Sequence, residues 1–240
     1  MNDKVENWIK SFVKGDIWRE PIVGFCSAEE VEKLRKIIPN HAIPEDLLKN
    51  AKSVISYFIP FSIEVVKSNI NDLFASRLWA EAYVKTNQLI VELNSYISRK
   101  LELYGFKSYS PKPTHDFDEE KLVSSWSHKH VAYLSGLGTF GHHTMIITEK
   151  GCCGRLGSLI TQAEFKYCEV IEEEFCLHKR GLDCLKCVDR CIFEALTRNG
   201  LNKKKCYEIL LKNDEMLKSD VCGKCACGVP CSIEKPKFKD

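Results

Sequence analysis

The chain has 240 residues, 44% hydrophobic and 28% charged, enough for one sizeable core and a smaller appended module. A formal charge of +2 and an isoelectric point near 7.9 exclude the basic stripe that counterion release on nucleic acid requires, so charge implies no nucleic-acid partner. The opening "MNDKVENWIKSFVKGDIW" lacks the basic start and apolar stretch of a signal peptide, and the longest apolar region, around "SVISYFIPF", is broken by Pro60 and too short for a bilayer; the expectation is a cytoplasmic protein with no membrane partner.

In chain order, the opening segment has amphipathic helical spacing, a second helix is predicted at "SAEEVEKLRKII", and a third starts at Pro44 with Glu45 and Asp46 in its first turn. "SVISYFI" reads as a strand. A long helical pattern then runs from Asn71 to about Tyr104, with Leu73, Leu78, Ala82, Leu89, Leu93 and Ile97 among its apolar positions and Gly105 as its stop. Beyond "GFKSYSPKP", a turn-rich stretch and a short helix lead into "GLGTFGHHTMIITEKGCCGRLGSLIT", two strand-like pieces joined by glycine-rich turns. The fold class is α+β: an N-terminal cofactor and substrate domain over 1–165, followed without a long linker by a small domain over 166–240.

Of thirteen cysteines, ten lie at or after Cys168. In a cytoplasmic protein thiols stay reduced, so dense cysteine spacing points to metal and not to disulfides. Two-cluster bacterial ferredoxins use a CxxCxxCxxxCP run whose fourth cysteine serves the other cluster. Cys184, Cys187 and Cys191 reproduce its last three positions, with Gly181 where the first cysteine would stand and Ile192 in place of the proline. Cys176, reaching back across "LHKRGLD", supplies the missing ligand. Crossing the fourth ligands assigns Cys176, Cys184, Cys187 and Cys231 to one four-iron four-sulfur cluster, and Cys191, Cys206, Cys222 and Cys225 to the other. A structural zinc held by the pairs at 184/187 and 222/225 would leave four of these eight unassigned. Cys26, Cys152, Cys153, Cys168 and Cys227 read as small buried hydrophobes or incidental thiols.

"SHKHVAYLSGLGTFGHHTMIIT", followed by "GRLGSLIT" and the cysteine module, resembles the cobalamin-dependent epoxyqueuosine reductases and, more distantly, the reductive dehalogenases. The resemblance covers about Ser127 to Pro236, and the ending "CGKCACGVPC" looks like a shorter branch of that family without C-terminal helical repeats. It implies a corrinoid-binding-like domain ahead of a two-cluster ferredoxin-like domain, with cobalamin packed against Gly136, Leu137, Gly138, Gly141 and Thr144. Glycine would let backbone approach the face of a flat macrocycle; the same residues also suit an ordinary tight turn.

The family's acidic residue, in an Asp-x-x-Pro-x-x-Glu context, is missing. Aligning Ala132 and Gly136 places Leu122, Ser125 and His128 at the Asp, Pro and Glu positions, and His142 stands where the family has lysine. Epoxyqueuosine itself is therefore not the expected substrate. Four of seven histidines, His128, His130, His142 and His143, flank the glycine turn, and imidazole titrates nearest neutral pH, so His142 and His130 are the candidate proton donors.

The functions in play are a cobalamin-dependent iron–sulfur reductase, an electron carrier or reductive activator of a partner protein with no corrinoid of its own, and a redox or oxygen sensor. The first would take a small-molecule or modified-nucleoside substrate and electrons from a reduced ferredoxin or flavodoxin-type donor.

Overall fold

A computed structural model describes residues 1–237; residues 238–240, the end of the second expected domain, lie outside the described residues. Helix α1 (Asn2–Phe12) turns Val5 and Ile9 inward. Strand β1 (Ile22–Ser27) ends at Ser27, whose hydroxyl accepts from the Glu30 N–H and starts α2 (Ala28–Glu32); a 3-10 turn follows at Lys33–Lys36. Helix α3 (Pro44–Leu47) is one turn opened by its proline, and strand β2 (Ser53–Pro60) is buried throughout. Helix α4 (Ile63–Ser68) precedes the long α5 (Arg77–Glu102). Then come β3 (Ser108–Tyr109), β4 (Phe117–Asp118), β5 (Val123–Ser124), α6 (His128–Leu134), β6 (Gly138–Phe140), β7 (Ile146–Thr148) and β8 (Gly154–Thr161). The cysteine-rich part adds α7 (Lys186–Asp189), the short pair β9 (Leu196–Thr197) and β10 (Gly200–Leu201), and α8 (Lys203–Leu217).

The main sheet runs β1-β2-β8-β3, antiparallel throughout, with Ile55 opposite Phe25 on one side and Leu159 on the other. Period-two alternation divides its side chains between two helical layers. Phe25, Ile55, Tyr57, Ile59 and Leu159 pack on α1 and α5, while Cys26, Val54 and Ile160 pack on the opposite face with Val31, Trp126 and Val131. A third cluster gathers Phe61 and Trp79 with Cys152, Cys153, Phe175, Cys176, Val221 and Cys227, so residues from both sides of the expected boundary share one apolar core.

Two expectations need correction. The long helix begins at Arg77 and not at Asn71. Asp72 is left-handed (φ 63°), Ser76 caps the helix by accepting from the Trp79 N–H, and the Ser76 N–H is held by Asn69 Oδ1. Leu73 therefore lies ahead of the helix and is exposed. Strand β1, "IVGFCS", was absent from the sequence reading, although it forms one edge of the sheet.

Candidate functional site

The eight cysteines singled out from spacing separate into two groups in space. Cys176, Cys184, Cys187 and Cys231 line one small cavity. Burial pushes the Cys187 thiol up to about 12, helped by the negative charge that Cys231, Cys176 and Cys184 would carry. Cys191, Cys206, Cys222 and Cys225 line a second, larger cavity. Burial raises Cys206 to about 11, and its next contributors are Cys222 and Cys191; Cys225 is raised by burial and then by Cys222, Cys206 and Cys191. Local structure aims these sulfurs: α7 carries Cys187, the first turn of α8 carries Cys206, and a 3-10 turn at Lys224–Ala226 carries Cys225. Gly223, at φ 71°, opens that last turn against the Trp79 ring, where a Cβ would come within 2.4 Å of the indole. Thiols that raise one another's pKa are costly to ionise unless a cation replaces their protons. Two sets of four cysteines are the kind of donor set that could hold four-iron clusters.

His143 serves the first set. Its Nδ1 accepts from the Met145 N–H at 3.1 Å, which leaves the proton on Nε2, 3.4 Å from the Cys231 sulfur. Cys152 lies in the same group, its ligand atom within 4.8 Å of both. An N–H donated to a ligand thiolate stabilises the more negative, reduced state of a cluster. His143→Leu should leave iron content intact and lower one of two cluster potentials by ~60 mV in an EPR-monitored titration, the equivalent of a charged-acceptor hydrogen bond of about 1.5 kcal/mol for one electron. Unchanged potentials would show that the contact does not tune the cluster.

The glycine turn is occupied by the protein itself. A Cβ on Gly136 would meet Glu169 O at 2.5 Å, on Gly138 Ile147 O at 2.0 Å, and on Gly141 the His143 ring at 2.5 Å. On the side a Cβ would take, each glycine is closely covered, by backbone at Gly136 and Gly138 and by the His143 ring at Gly141. Leu137 is buried with Phe58, Ala132 and Ile146. Gly138→Val should therefore destabilise the whole protein by roughly 3 kcal/mol, read as a lower denaturation midpoint; wild-type stability in the variant would contradict this packing.

Thr144, the remaining residue of that set, does face a cavity. A space of about 280 Å³ is lined by Thr114, Asp116, Trp126, His128, Lys129 and Arg155 among others, and it shares Lys129, Met145, Cys152 and Arg155 with a space of about 510 Å³ that reaches Thr144, Cys191, Cys206, Cys222 and Cys225. Thr144 is left-handed (φ 65°), an unfavourable conformation for a β-branched residue, and its carbonyl accepts from Lys129 Nζ at 3.2 Å.

The histidines fall elsewhere than expected. His142 lines the small cavity of the first cysteine set, hydrogen-bonds Thr197 O at 2.8 Å and meets His178 edge-on. His130 bonds Ser127 Oγ at 2.7 Å and packs on Phe140, and burial pushes it down to about 4, which favours the neutral ring. His128 does reach the cavity. Trp126 Nε1 donates to Ser158 Oγ, so that hydroxyl donates to His128 Nδ1 at 2.9 Å, and His128 Nε2–H donates to Lys112 O at 2.8 Å. Burial holds it near 4 as well. Neither His142 nor His130 is placed as a donor into the large cavity.

Lys129 and Arg155 are the cations on the wall that the two spaces share, beside Lys112 in the smaller and Lys224 in the larger, and neither was an expected site residue. Burial lowers the pKa of Lys129, as does neighbouring Lys203, while Cys206 and Cys225 oppose the shift. The signal available was a lysine inside "SHKH" and an arginine interrupting the otherwise apolar "GRLGSLIT". A charge within a buried strand needs a partner or a cavity.

The chain combines a four-stranded antiparallel sheet between helices with two cysteine sets that line two cavities. No family model matches the chain. Epoxyqueuosine reductase from Streptococcus thermophilus superposes with a TM-score of 0.61 at 18% identity, over 100% of this chain and 69% of that one. The catabolic reductive dehalogenase NpRdhA, in complex with 3-bromo-4-hydroxybenzoic acid, gives 0.65 at 18% identity, over 90% and 30%. In sequence, the chain is 27% identical over 177 residues to an epoxyqueuosine reductase of Staphylococcus aureus (strain NCTC 8325 / PS 47), 70% of this chain. It spans 42% of that relative's length. In sequence and in fold the chain is similar to epoxyqueuosine reductases, the resemblance its glycine and cysteine motifs carry. Among the described residues no helix is long and apolar enough to cross a membrane.

Proposed function

We propose that the protein is an iron–sulfur oxidoreductase that reduces an electrophilic substrate at a corrinoid, with electrons from two four-iron four-sulfur clusters. The observation that carries this reading is the continuity of the cavities: one connected space runs from Cys191, Cys206, Cys222 and Cys225 to a wall formed by Thr144, Met145, Lys129 and Arg155. Both imidazoles on its wall, His128 and His143, are committed at both nitrogens, so neither is a free axial ligand for cobalt. A bound corrinoid would supply a strongly reducing, nucleophilic metal centre.

The chain's own residues do the rest. Cys225 is close enough to Cys187 to be influenced by its charge, which supports electron passage from the first set to the second in single steps. The β6–β7 hairpin backs the cavity through Thr144 and Met145. Lys129, positioned by the Thr144 carbonyl, is the proton source that replaces the family's missing acid. Burial brings an ammonium group towards the range in which it can donate near neutral pH. Substrates of the class are modified nucleosides in tRNA or small electrophiles, and the electron donor is a reduced ferredoxin or flavodoxin-type protein.

The test is cobalamin binding by difference spectroscopy, followed by turnover with a low-potential donor on an epoxyqueuosine-containing tRNA stem loop and on 3-bromo-4-hydroxybenzoic acid. The reading requires binding at micromolar cobalamin. Full cluster content with no binding would instead make the protein an electron carrier or activator of a partner.

A further inference from the structure

Arg155 is the second residue of β8, the neighbour of central strand β2, and its side chain lies on the wall shared by both large spaces. Each of its hydrogen bonds goes to a neutral acceptor: Nε donates to Asn87 Oδ1 at 3.0 Å and Nη2 to Pro113 O at 3.0 Å, while the guanidinium carbon sits 4.4 Å from the centre of the Tyr83 ring. Nη1 makes no hydrogen bond among the described residues. Among the described residues no carboxylate lies within ion-pair distance either. Asp220, the nearest acid to act on it, is engaged by the Tyr83 hydroxyl at 3.4 Å and His115 at 3.7 Å, and Asp116, also on the wall, accepts from the Ser125 hydroxyl.

Arg155 is half-buried, and withdrawing a guanidinium even partly from water is costly unless a charge or a full set of acceptors compensates it. Lys129, across the same cavity, faces Cys206 and Cys225, so a cluster on those thiolates would answer its charge. Arg155 has only the Asp220 charge acting on it from beyond ion-pair distance. Asn87 and Pro113 fix the guanidinium plane and leave one edge open to the cavity, the arrangement that receives an oxyanion.

We propose that Arg155 is an anion-binding residue and that the molecule entering the 280 Å³ space presents a carboxylate or phosphate to it. The inference rests on the corrinoid-reductase reading in taking that space as the substrate side. A phosphate could come instead from the nucleotide arm of the cofactor, and the two sources separate experimentally, because cobinamide lacks that arm.

In the anaerobically reconstituted full chain, orthophosphate and acetate are titrated by calorimetry against chloride of equal ionic strength, and cobalamin and cobinamide by difference spectroscopy, in wild type, Arg155→Met and Arg155→Lys. Arg155→Met should weaken orthophosphate or acetate binding at least ~10-fold, Arg155→Lys should recover part of it, and both corrinoids should bind all three proteins alike. Selective loss of cobalamin affinity in Arg155→Met, with cobinamide unaffected, would overturn the substrate assignment and give the anion site to the cofactor. Oxyanions binding no better than chloride, or equally in wild type and Arg155→Met, would overturn the anion site itself. Arg155-dependent oxyanion binding in a protein that binds neither corrinoid would leave this inference standing and remove the corrinoid reading.

Discussion

Cys187→Ser and Cys225→Ser should each halve the iron content of the anaerobically purified protein, from about eight to about four atoms per chain, because each thiol belongs to a different set of four. The Cys187 sulfur lies among Cys176, Cys184 and Cys231; that of Cys225 lies among Cys191, Cys206 and Cys222. Removing one ligand leaves three thiolates around a core that needs four. The two losses should also differ in kind. The Cys225 variant opens the large cavity, so it should lose electron delivery to that space while the first cluster still reduces chemically. The Cys187 variant should lose the entry point for electrons and keep the cluster facing the cavity. Cys227→Ser gives the control: its sulfur packs 3.8 Å from that of Cys153 and receives a hydrogen bond from Asn69, outside both sets. Iron lost in Cys227→Ser and kept in Cys225→Ser would reverse the ligand assignment.

Lys129→Met should reduce substrate turnover by about 10²- to 10⁴-fold, the range associated with a positioned general acid. Iron content and corrinoid binding should be unaffected. The Lys129 ammonium is fixed by the Thr144 carbonyl, on a wall shared by the cysteine-lined space and the smaller space beside His128. No other group on that wall is so placed: His128 is neutral and committed at both nitrogens. A structural role for Lys129 would lower stability without altering the pH profile of turnover. An acid role removes the alkaline limb of that profile, and Lys129→Arg, which keeps the charge but cannot release a proton near neutral pH, should not restore the rate. Full activity in Lys129→Met would direct attention to Asp116, the acid on the same wall.

How much of this was legible in the sequence differs by element. The grouping of the cysteines into two sets was legible because cluster ligation constrains spacing directly; even the irregularly spaced Cys176 and Cys206 fall with the sets expected from counting thiols. Strand β2 announced itself as "SVISYFI". Strand β1 did not, because "IVGFCS" is short, contains a glycine and lies between Pro21 and a helix cap. The start of α5 was placed too early because apolar Leu73 and Phe74 fit a helical repeat, and only tertiary bonds from Asn69 and Asn213 show why that segment is a loop. The surroundings of the histidines were hidden for a related reason. Histidines near a glycine turn looked reactive on intrinsic pKa alone, whereas burial depresses His128 and His130, and His142 points to the other cysteine cavity. The cavity wall gathers residues from α6, β8, the Thr114–Phe117 segment and the loop after β6, and no short window of sequence contains that combination.

The measurement that bears most directly on the whole account is the metal and sulfide content of protein made without air in the presence of cobalamin. Iron, acid-labile sulfide, cobalt and zinc are counted in the same sample. About eight irons, about eight sulfides and one cobalt per chain, with no stoichiometric zinc, is the result the two cysteine sets and the adjoining cavity predict. Stoichiometric zinc with negligible sulfide would contradict the cluster assignment, and full iron with no cobalt would contradict the corrinoid.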